Sequence, residues 1–320
     1  METKPKNVIV LTGFLGSGKT TLLNAILKVN PGKRYAIIEN EVGEIGIDGE
    51  LIIKNSDSFT ELSNGCICCS LNDNFTDTLR NLSKRSDWDE LIIEATGVAH
   101  PGGIIAPFKQ FPWMSKYFNL PDVICIADAQ NIEEQLKISD TAPKQLAYGD
   151  KVYISKSDLV DAERVEEIKH VVQKFNPFAQ FYYSNQDNLV QNILKPVSSN
   201  KPVISIGNVV KPSAESETEH DMFESVALEF DYPIDENKLF SRLYTFLMVQ
   251  AFNVYRLKGI FHDSRKDHKL IIQSVMKSLF IDDGEEWEEE EPKVSKFVFI
   301  GKGLKPKGFE KMIRDCRLKD

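Results

Sequence analysis

The fold is decided by the stretch Gly13-Phe14-Leu15-Gly16-Ser17-Gly18-Lys19-Thr20, which fits the pattern G-x-x-x-x-G-K-[ST] at every fixed position. An apolar run at 7–11 precedes it and a helical segment at 20–28 follows it, which is the strand–loop–helix context of a phosphate-binding loop. Glycines let the backbone wrap closely around a phosphate with its N–H groups turned inwards. Lys19 is predicted to reach the β- and γ-phosphates, and the Thr20 hydroxyl to bind Mg²⁺. The predicted nucleotide-binding residues of this loop are Gly13, Gly16, Ser17, Gly18, Lys19, Thr20 and Thr21.

Short apolar strands alternate with helical segments through the first 200 residues. The predicted strands are 7–11, 34–38, 90–93, 122–127 and 151–154, and the predicted helices are 20–28, 74–84, 144–147 and 161–175. Near-continuous Val/Ile strands separated by helices are typical of a parallel sheet that is covered on both faces. We therefore predict an α/β fold of the P-loop NTPase type, with a mostly parallel sheet covered by helices.

A polar stretch at 211–221 contains no large apolar residue and is typical of a linker. After it the order changes: strands are predicted at 223–230, 254–261, 270–280 and 297–300, and helices at 235–249 and 309–316. This order predicts a second, smaller α+β domain. The predicted domains are 1–208, which holds the nucleotide and cysteine motifs, and 223–320, joined by a linker at 209–222.

Charge and composition exclude several classes of protein. The 320-residue chain has a net charge of −9, and eight of its 48 acidic residues lie in 282–291, a run predicted to be a solvated loop. The rest of the chain is close to neutral. It therefore lacks the basic surplus that would indicate a nucleic-acid partner. No apolar run reaches the ~18 residues of a membrane span, and the start of the chain lacks the pattern of a signal peptide. A cytoplasmic, reducing location is predicted, because three of the five cysteines are clustered rather than scattered as in a disulfide framework.

A second element for the phosphates is predicted at Glu94 and Gly97, where an apolar strand ends in a carboxylate. Glu94 could hold a metal-bound water, and the Gly97 N–H could contact the γ-phosphate. The alternative is a strand that simply ends in a polar turn. The candidate catalytic residues are Lys19, Glu94 and Glu39, the two acids as alternatives for positioning the attacking water.

A base-binding loop is predicted at Ser155-Lys156-Ser157-Asp158, after an apolar strand. One carboxylate can accept both the N1–H and the 2-amino group of guanine, and adenine offers no such pair, so Asp158 would select guanine. Lys156 would lay its alkyl stem along the base. Ser155 stands where the usual GTPase motif has Asn. A Lys-x-Asp sequence on an ordinary surface loop is the alternative.

A thiolate site is predicted at Cys66, Cys68 and Cys69, three soft ligands within four residues that suit Zn²⁺, Cu⁺ or iron–sulfur chemistry. Three local ligands are fewer than a closed structural zinc site uses. A protein that loads and releases a metal could use such an incomplete site. Water, a client side chain, Glu41 or His100 could be the fourth ligand. Buried free cysteines and a redox pair are the alternatives.

These motifs together resemble the CobW-type family of metallochaperone GTPases, which is related to the nickel-inserting urease and hydrogenase accessory GTPases. The resemblance is carried by the phosphate loop, residues 38–51, Gly65-Cys66-Ile67-Cys68-Cys69, residues 94–101 and the Lys-x-Asp loop, with 256–260 and 297–303 similar to the family's second domain. The resemblance therefore covers nearly the whole chain.

The resemblance implies a GTPase that uses GTP and Mg²⁺, binds Zn²⁺ or a related transition metal at Cys-x-Cys-Cys, and transfers it to a client metalloprotein. It implies that residues 39–48 form a switch that responds to the γ-phosphate and touches the metal site, with slow turnover in the absence of a partner. Self-association stays open. The competing interpretations are a P-loop ATPase or kinase with structural cysteines, and a non-enzymatic zinc buffer or sensor.

Overall fold

The computed structural model describes residues 4–39, 51–55, 58–62, 73–195, 223–250, 253–275 and 277–318, with the backbone alone described at 51–55, 58–62, 73–74 and 250. The cysteine motif, Glu41 and the linker lie outside these residues. The chain divides into two compact units. Unit 1 is Met1–Lys169 with Ala179–Val197, and unit 2 is His170–Phe178 with Ser198–Asp320.

Unit 1 is built on an eight-stranded sheet in the order β4-β3-β2-β5-β1-β6-β7-β8. Its strands are β1 (Asn7–Thr12), β2 (Tyr35–Glu39), β3 (Leu51–Asn55), β4 (Ser58–Leu62), β5 (Glu90–Glu94), β6 (Asp122–Asp128), β7 (Lys151–Ser155) and β8 (Gln180–Tyr183). All pairs from β2 to β8 in this order are parallel, and β2–β3 and β3–β4 are antiparallel. The predicted fold class, a mostly parallel α/β sheet, is confirmed.

Helices cover both faces of this sheet. The helices up to residue 193 are α1 (Lys19–Val29), α2 (Asp73–Ser83), α3 (Pro101–Gln110), α4 (Ile132–Ile138), α5 (Ala142–Tyr148), α6 (Ala162–Phe175) and α7 (Leu189–Ile193), and the boundary between the two units falls within α6. Leu23 of α1 and Ile193 of α7 pack in one cluster with Ile126 of β6. Cys125, the preceding residue, points to the opposite face, where a side chain at Gly149 after α5 would lie 2.9 Å from its Cβ. Burial on both faces explains the continuous apolar strands.

The sheet brings several chain segments to one edge, at the carboxyl ends of the parallel strands. β1 lies between β5 and β6, so the segment that follows it emerges between two neighbouring strand ends. This is the position at which open α/β sheets bind their ligands. On the other side of β5, Glu39 at the end of β2 is the register partner of Glu94.

The antiparallel strands β3 and β4 return the chain to this edge. Leu51 at the start of β3 pairs with Ile38, and Leu62 at the end of β4 pairs with Leu51. Glu39, Leu51 and Leu62 therefore all lie at the carboxyl edge. With strands about 4.8 Å apart, β4 is roughly 10 Å across the sheet from β2.

Every helix and strand predicted for unit 1 is present in the structure. The additional elements that the sequence did not predict are irregular or short. The helix predicted at 144–147 is longer in the structure, where α5 runs from Ala142 to Tyr148. Strands β3, β4 and β8 and helices α3, α4 and α7 were not predicted. Helix α3 contains Gly102, Gly103 and Pro107, residues that disfavour helix interiors. β8 has only four half-buried residues at the edge of the sheet and therefore no strong pattern.

Unit 2 is a five-stranded antiparallel sheet in the order β12-β11-β10-β13-β9, with two helices packed against it. Its elements are β9 (Phe223–Phe230), α8 (Glu236–Gln250), β10 (Val254–Phe261), β11 (His268–Val275), β12 (Ser278–Glu286), β13 (Ser295–Lys302) and α9 (Pro306–Arg314). Leu243 of α8 and Phe309 of α9 share one buried cluster with Leu257, and Phe309 stacks on Phe299 with ring centroids 4.1 Å apart. The predicted α+β character of this region is confirmed.

Two sequence predictions in unit 2 were wrong. The single strand predicted at 270–280 is the hairpin of β11 and β12, with Val275 paired to Ser278 across its turn. The acidic run 282–291 is not entirely a loop, because β12 continues to Glu286 and Asp282 pairs with Ile271. β12 is an edge strand, and its acidic residues Asp282, Asp283 and Glu286 are exposed while its backbone pairs with β11.

No helix in the described residues is long and apolar enough to cross a membrane.

Candidate nucleotide site

The phosphate loop, residues 13–20, adopts a backbone that its glycines make possible. Gly13, Gly16 and Gly18 have φ angles of 142°, 72° and 100°. A Cβ at Gly13 would lie 2.3 Å from the carbonyl oxygen of Ile126 on β6, so only glycine fits against the neighbouring strand. Gly18 is the residue before α1, and the N-terminus of this 11-residue helix therefore faces the loop.

Lys19 lies inside the curve of the loop. Its side chain is nearly buried, and Nζ donates hydrogen bonds to the carbonyl oxygens of Gly13 (3.0 Å) and Phe14 (3.1 Å). Burial lowers the pKa of the ammonium group, and the nearby carboxylate of Glu94 acts against this shift. The buried Ser17 hydroxyl has no hydrogen-bond partner among the described residues. A cation and an unsatisfied hydroxyl group within a loop of this curvature fit an anionic ligand.

Thr20 and Glu94 meet at the mouth of the loop. The Thr20 hydroxyl donates to Glu94 Oε1 over 2.7 Å, because the parallel register of β1 and β5 sets Glu94 opposite Leu11. Thr21 is exposed on the first turn of α1. A hydroxyl and a carboxylate oxygen this close are ligands of the kind that Mg²⁺ takes beside phosphates. The residues present therefore fit a magnesium ion.

Gly97 lies against the phosphate loop. A Cβ at this position would come within 2.6 Å of the Leu15 backbone nitrogen and side chain, so no larger residue is accommodated. The Gly97 carbonyl accepts a hydrogen bond from the side chain of Gln145, a residue that no sequence pattern singled out. The two predicted phosphate elements are thus in direct contact.

The base loop, residues 155–158, is fastened to the phosphate loop. The Ser155 hydroxyl donates to the carbonyl oxygen of Ser17 at 2.6 Å, and the Lys156 ammonium group donates to Gly16 O at 3.3 Å. Lys156 has a left-handed backbone, with φ of 55°, which turns the chain out of β7. The structure therefore brings together the two loops that the sequence separates by more than 130 residues.

Asp128, which was not predicted, holds Lys156 in place. Lys156 Nζ lies 2.7 Å from Asp128 Oδ2, which also accepts from Asn131 Nδ2, while Oδ1 accepts from the Gln130 N–H. Burial would raise the pKa of Asp128, but these hydrogen bonds, from Lys156 above all, outweigh it and lower the pKa. A carboxylate that stays ionised fixes the lysine stem. The signal in the sequence was an acid at the end of an apolar strand, the same signal that identified Glu94.

Asp158 is exposed and oriented by Ser184, a second residue that was missed. The Ser184 hydroxyl donates to Asp158 Oδ1 at 2.8 Å and accepts from the Ser157 N–H at 2.8 Å. The Ser184 N–H in turn donates to the Ser157 hydroxyl. The only sequence signal for Ser184 is its position directly after the aromatic strand β8.

The predicted thiolate site cannot be located, because Cys66, Cys68, Cys69 and Glu41 lie outside the described residues. Within the described ranges, no three His, Cys, Asp or Glu side chains are grouped so as to hold a metal ion. His100, a candidate fourth ligand, caps α3, and its Nδ1 accepts from the Gly102 N–H at 3.1 Å. Burial, together with the charge of Lys144, lowers the pKa of His100, which favours the neutral imidazole.

Two family models match this sequence. Residues 7–183 match the one described as CobW/HypB/UreG, nucleotide-binding domain, and residues 223–317 match the cobalamin synthesis protein cobW C-terminal domain. The chain belongs to the CobW/HypB/UreG family. The resemblance inferred from the sequence motifs is confirmed.

Members of this family with curated names are similar over most of their length. The zinc chaperone YjiA of Escherichia coli (strain K12) is 34% identical, over 93% of this chain and 94% of the relative. The zinc chaperone CobW of Pseudomonas aeruginosa is 27% identical, over 93% of this chain and 88% of its own length. A crystal structure of Zn(II)-bound YjiA GTPase from E. coli matches 99% of this chain and 100% of that chain, with a TM-score of 0.71 and 30% identity.

Proposed function

We propose that the protein is a GTP-hydrolysing metallochaperone that carries Zn²⁺, or a related transition metal, to a client metalloprotein. Nucleotide binding is supported above all by the hydrogen bond of 2.6 Å between Ser155 and Ser17, which joins the base loop to the phosphate loop. The metal half is supported by the cysteine sequence and by the zinc-chaperone names of two relatives that align over nearly all of this chain.

The nucleotide is GTP in this proposal. Asp158 presents an exposed carboxylate whose orientation is fixed by Ser184, as needed to accept two donors from guanine. Lys156 is held by Asp128 and Gly16 so that its stem can cover the base. Adenine lacks this pair of neighbouring donors, which disfavours the ATPase alternative.

Hydrolysis is assigned to the groups at the mouth of the phosphate loop. Lys19 neutralises charge on the phosphates, and Thr20 with Glu94 would hold Mg²⁺, which supplies electrostatic stabilisation of the developing charge when bound. Glu94, or Glu39 beside it in the sheet, positions the attacking water. Turnover without a partner is expected to be slow, because no residue in the described part of the chain is placed as a strong general base.

Coupling between nucleotide and metal follows from the sheet. Glu39, Leu51 and Leu62, the described residues nearest in sequence to the switch and the cysteine motif, all lie at the carboxyl edge. We infer that the nucleotide state alters the metal site through 39–48, an order–disorder scheme common among GTPases. Metal is the cargo, the client is a metalloprotein that receives it, and the cytoplasm is the compartment in which free thiolates persist.

The decisive experiment measures hydrolysis of GTP and ATP with and without one equivalent of Zn²⁺, together with zinc bound per chain. We expect a preference for GTP, one tightly bound zinc ion, and a change in GTP turnover when zinc binds. A preference for ATP would favour the structural-cysteine alternative. Tight zinc binding without any hydrolysis would favour a buffer or sensor.

A further inference from the structure

Gln145 on α5 has a buried side chain whose amide group hydrogen-bonds to the loop after β5. It is 1% exposed, and its Nε2 donates to the carbonyl oxygens of Gly97 (3.1 Å) and Ala99 (3.3 Å). A buried amide is costly unless it is hydrogen-bonded. Both amide hydrogens therefore serve two backbone carbonyls of one short loop, 46 and 48 residues earlier in the chain.

The orientation of this amide is determined by its partners. Both neighbours are carbonyl oxygens, which only accept hydrogen bonds, so the nitrogen must face them and the oxygen must point away. Gln145 Oε1 is buried and has no hydrogen-bond partner among the described residues. The side chain is consequently satisfied at its donor end alone, and the only polar contacts described for it fasten this loop.

Helix α5 supports the same loop at a second point, and the phosphate loop supports it from the other side. The ring of Tyr148, buried on α5, meets the ring of His100 edge-on with centroids 5.4 Å apart. On the opposite side, Gly97 contacts Leu15 so closely that an added Cβ would lie 2.6 Å away. The loop is thus clamped between α5 and the phosphate loop.

We propose that Gln145 is a positioning residue that holds Gly97 against the phosphate loop and so makes the protein distinguish GTP from GDP. This inference rests on the proposed function. The phosphate loop itself binds the phosphates that GDP and GTP share, whereas Gly97 belongs to the second element, which meets only a third phosphate. The Gly97 carbonyl shares its planar peptide group with the Val98 N–H, so the hydrogen bond from Gln145 fixes that group and restrains Gly97 in its contact with the phosphate loop.

The test compares Gln145→Met and Gln145→Glu with the wild-type protein in binding GDP and a non-hydrolysable GTP analogue. Methionine is similar in size and removes both donors, and it also removes the unpaired Oε1, so the fold is expected to be retained. Glutamate keeps the shape but turns an acceptor towards two carbonyls. Gln135→Met is the matched control, because Gln135 is a buried glutamine on neighbouring α4 that also has an unpaired Oε1.

We expect affinity for the GTP analogue to fall about tenfold in both Gln145 variants while affinity for GDP changes less than about twofold. The Gln135 variant should bind both nucleotides as the wild type does. Equal weakening for GDP and analogue, or no change for either, overturns the inference and leaves the proposed function standing. A wild-type protein that binds neither nucleotide overturns both. If Gln145→Met does not fold, the glutamate variant decides by the same comparison.

Discussion

The hydroxyl group of Ser155 donates a 2.6 Å hydrogen bond to the carbonyl oxygen of Ser17, across 138 residues of sequence. Ser155 is the position at which the usual GTPase motif has asparagine. If the serine side chain made no contact, the difference would be expected to weaken nucleotide binding. Instead the serine is buried and joins the base loop to the phosphate loop directly. The serine at this position therefore connects the two halves of the site.

Removing this hydroxyl should weaken nucleotide binding. Ser155→Ala leaves the Ser17 carbonyl without its donor and frees the base loop to move, so affinity for GTP should fall about tenfold, as measured by calorimetric titration. Ser115→Ala, which removes an exposed hydroxyl bonded to Pro112 O, is the control. Unchanged affinity in the Ser155 variant would show that the loops are held together by other contacts.

Asp158 should determine the base. Asp158→Asn replaces an acceptor by a donor facing the guanine N1–H, so preference should shift from GTP towards a xanthine nucleotide. Ser184→Ala should weaken GTP binding several-fold without that shift, because it only releases the carboxylate. Competition binding with both nucleotides measures this, with Asp161→Asn as an exposed control. An unaltered preference in the Asp158 variant would remove this residue from the base site.

Lys19→Ala should abolish nucleotide binding, since it removes the cation that the phosphate loop encloses. Thr20→Ala should instead retain binding and lose its dependence on Mg²⁺, because the hydroxyl beside Glu94 is the proposed ligand. Titration of a fluorescent GTP analogue with and without Mg²⁺ separates the two effects. Retained micromolar affinity in the Lys19 variant would count strongly against the phosphate-loop assignment.

The zinc site should depend on the clustered cysteines. Cys66→Ser is expected to lower zinc affinity by orders of magnitude, because a thiolate ligand is lost. Cys316→Ser is the control, since Cys316 is buried in unit 2 and donates to Met312 O at 3.2 Å. Zinc per chain is measured with a competing chelator. Equal zinc binding by both variants would mean that the cluster is structural.

Unit 2 should lose stability in acid through Asp263, which accepts the first N–H of α8, from Glu236, and hydrogen bonds from Arg265. Burial opposes ionisation, but these bonds hold the pKa of Asp263 at about 2, against an ordinary 3.8. The lowered pKa stabilises the folded state above pH 4, and this contribution is lost as the pH falls towards 2. Asp263→Asn should cost about 1–2 kcal/mol at pH 7 and flatten the acid dependence in urea unfolding. An Asp231→Asn control should keep the wild-type slope.

The parts of the site that lie within one continuous segment were predictable from sequence. The phosphate loop is local, since its glycines, lysine and threonine act within eight residues, and strand–loop–helix order was visible around it. Lys156 and Asp158 were visible for the same reason. Their supports were not, because Ser184 and Asp128 act over 26 to 28 residues and Gln145 over nearly 50. Such contacts depend on which strands become neighbours, and an apolar run does not specify its partner.

The elements of the fold likewise separate into those that a local sequence pattern predicts and those that it does not. Strong apolar runs predicted the central strands and the presence of a second domain, whereas α3, with glycines and an internal proline, was missed. The hairpin of β11 and β12 was predicted as one strand because seven of the eleven residues from Leu270 to Phe280 are apolar, and no glycine or proline interrupts them. A two-residue turn between two strands leaves little mark on hydrophobicity alone.

The clash of any Cβ at Gly13 with the carbonyl of Ile126 has a consequence for the time course of folding. The phosphate loop precedes β6 and β7 in the chain, yet its curvature is limited by Ile126 of β6, and its hydrogen bond to Ser155 requires the end of β7. Contacts of such long range form slowly. The loop therefore acquires its binding shape only after β6 and β7 have joined the sheet. Nucleotide that binds the completed unit then stabilises it by mass action.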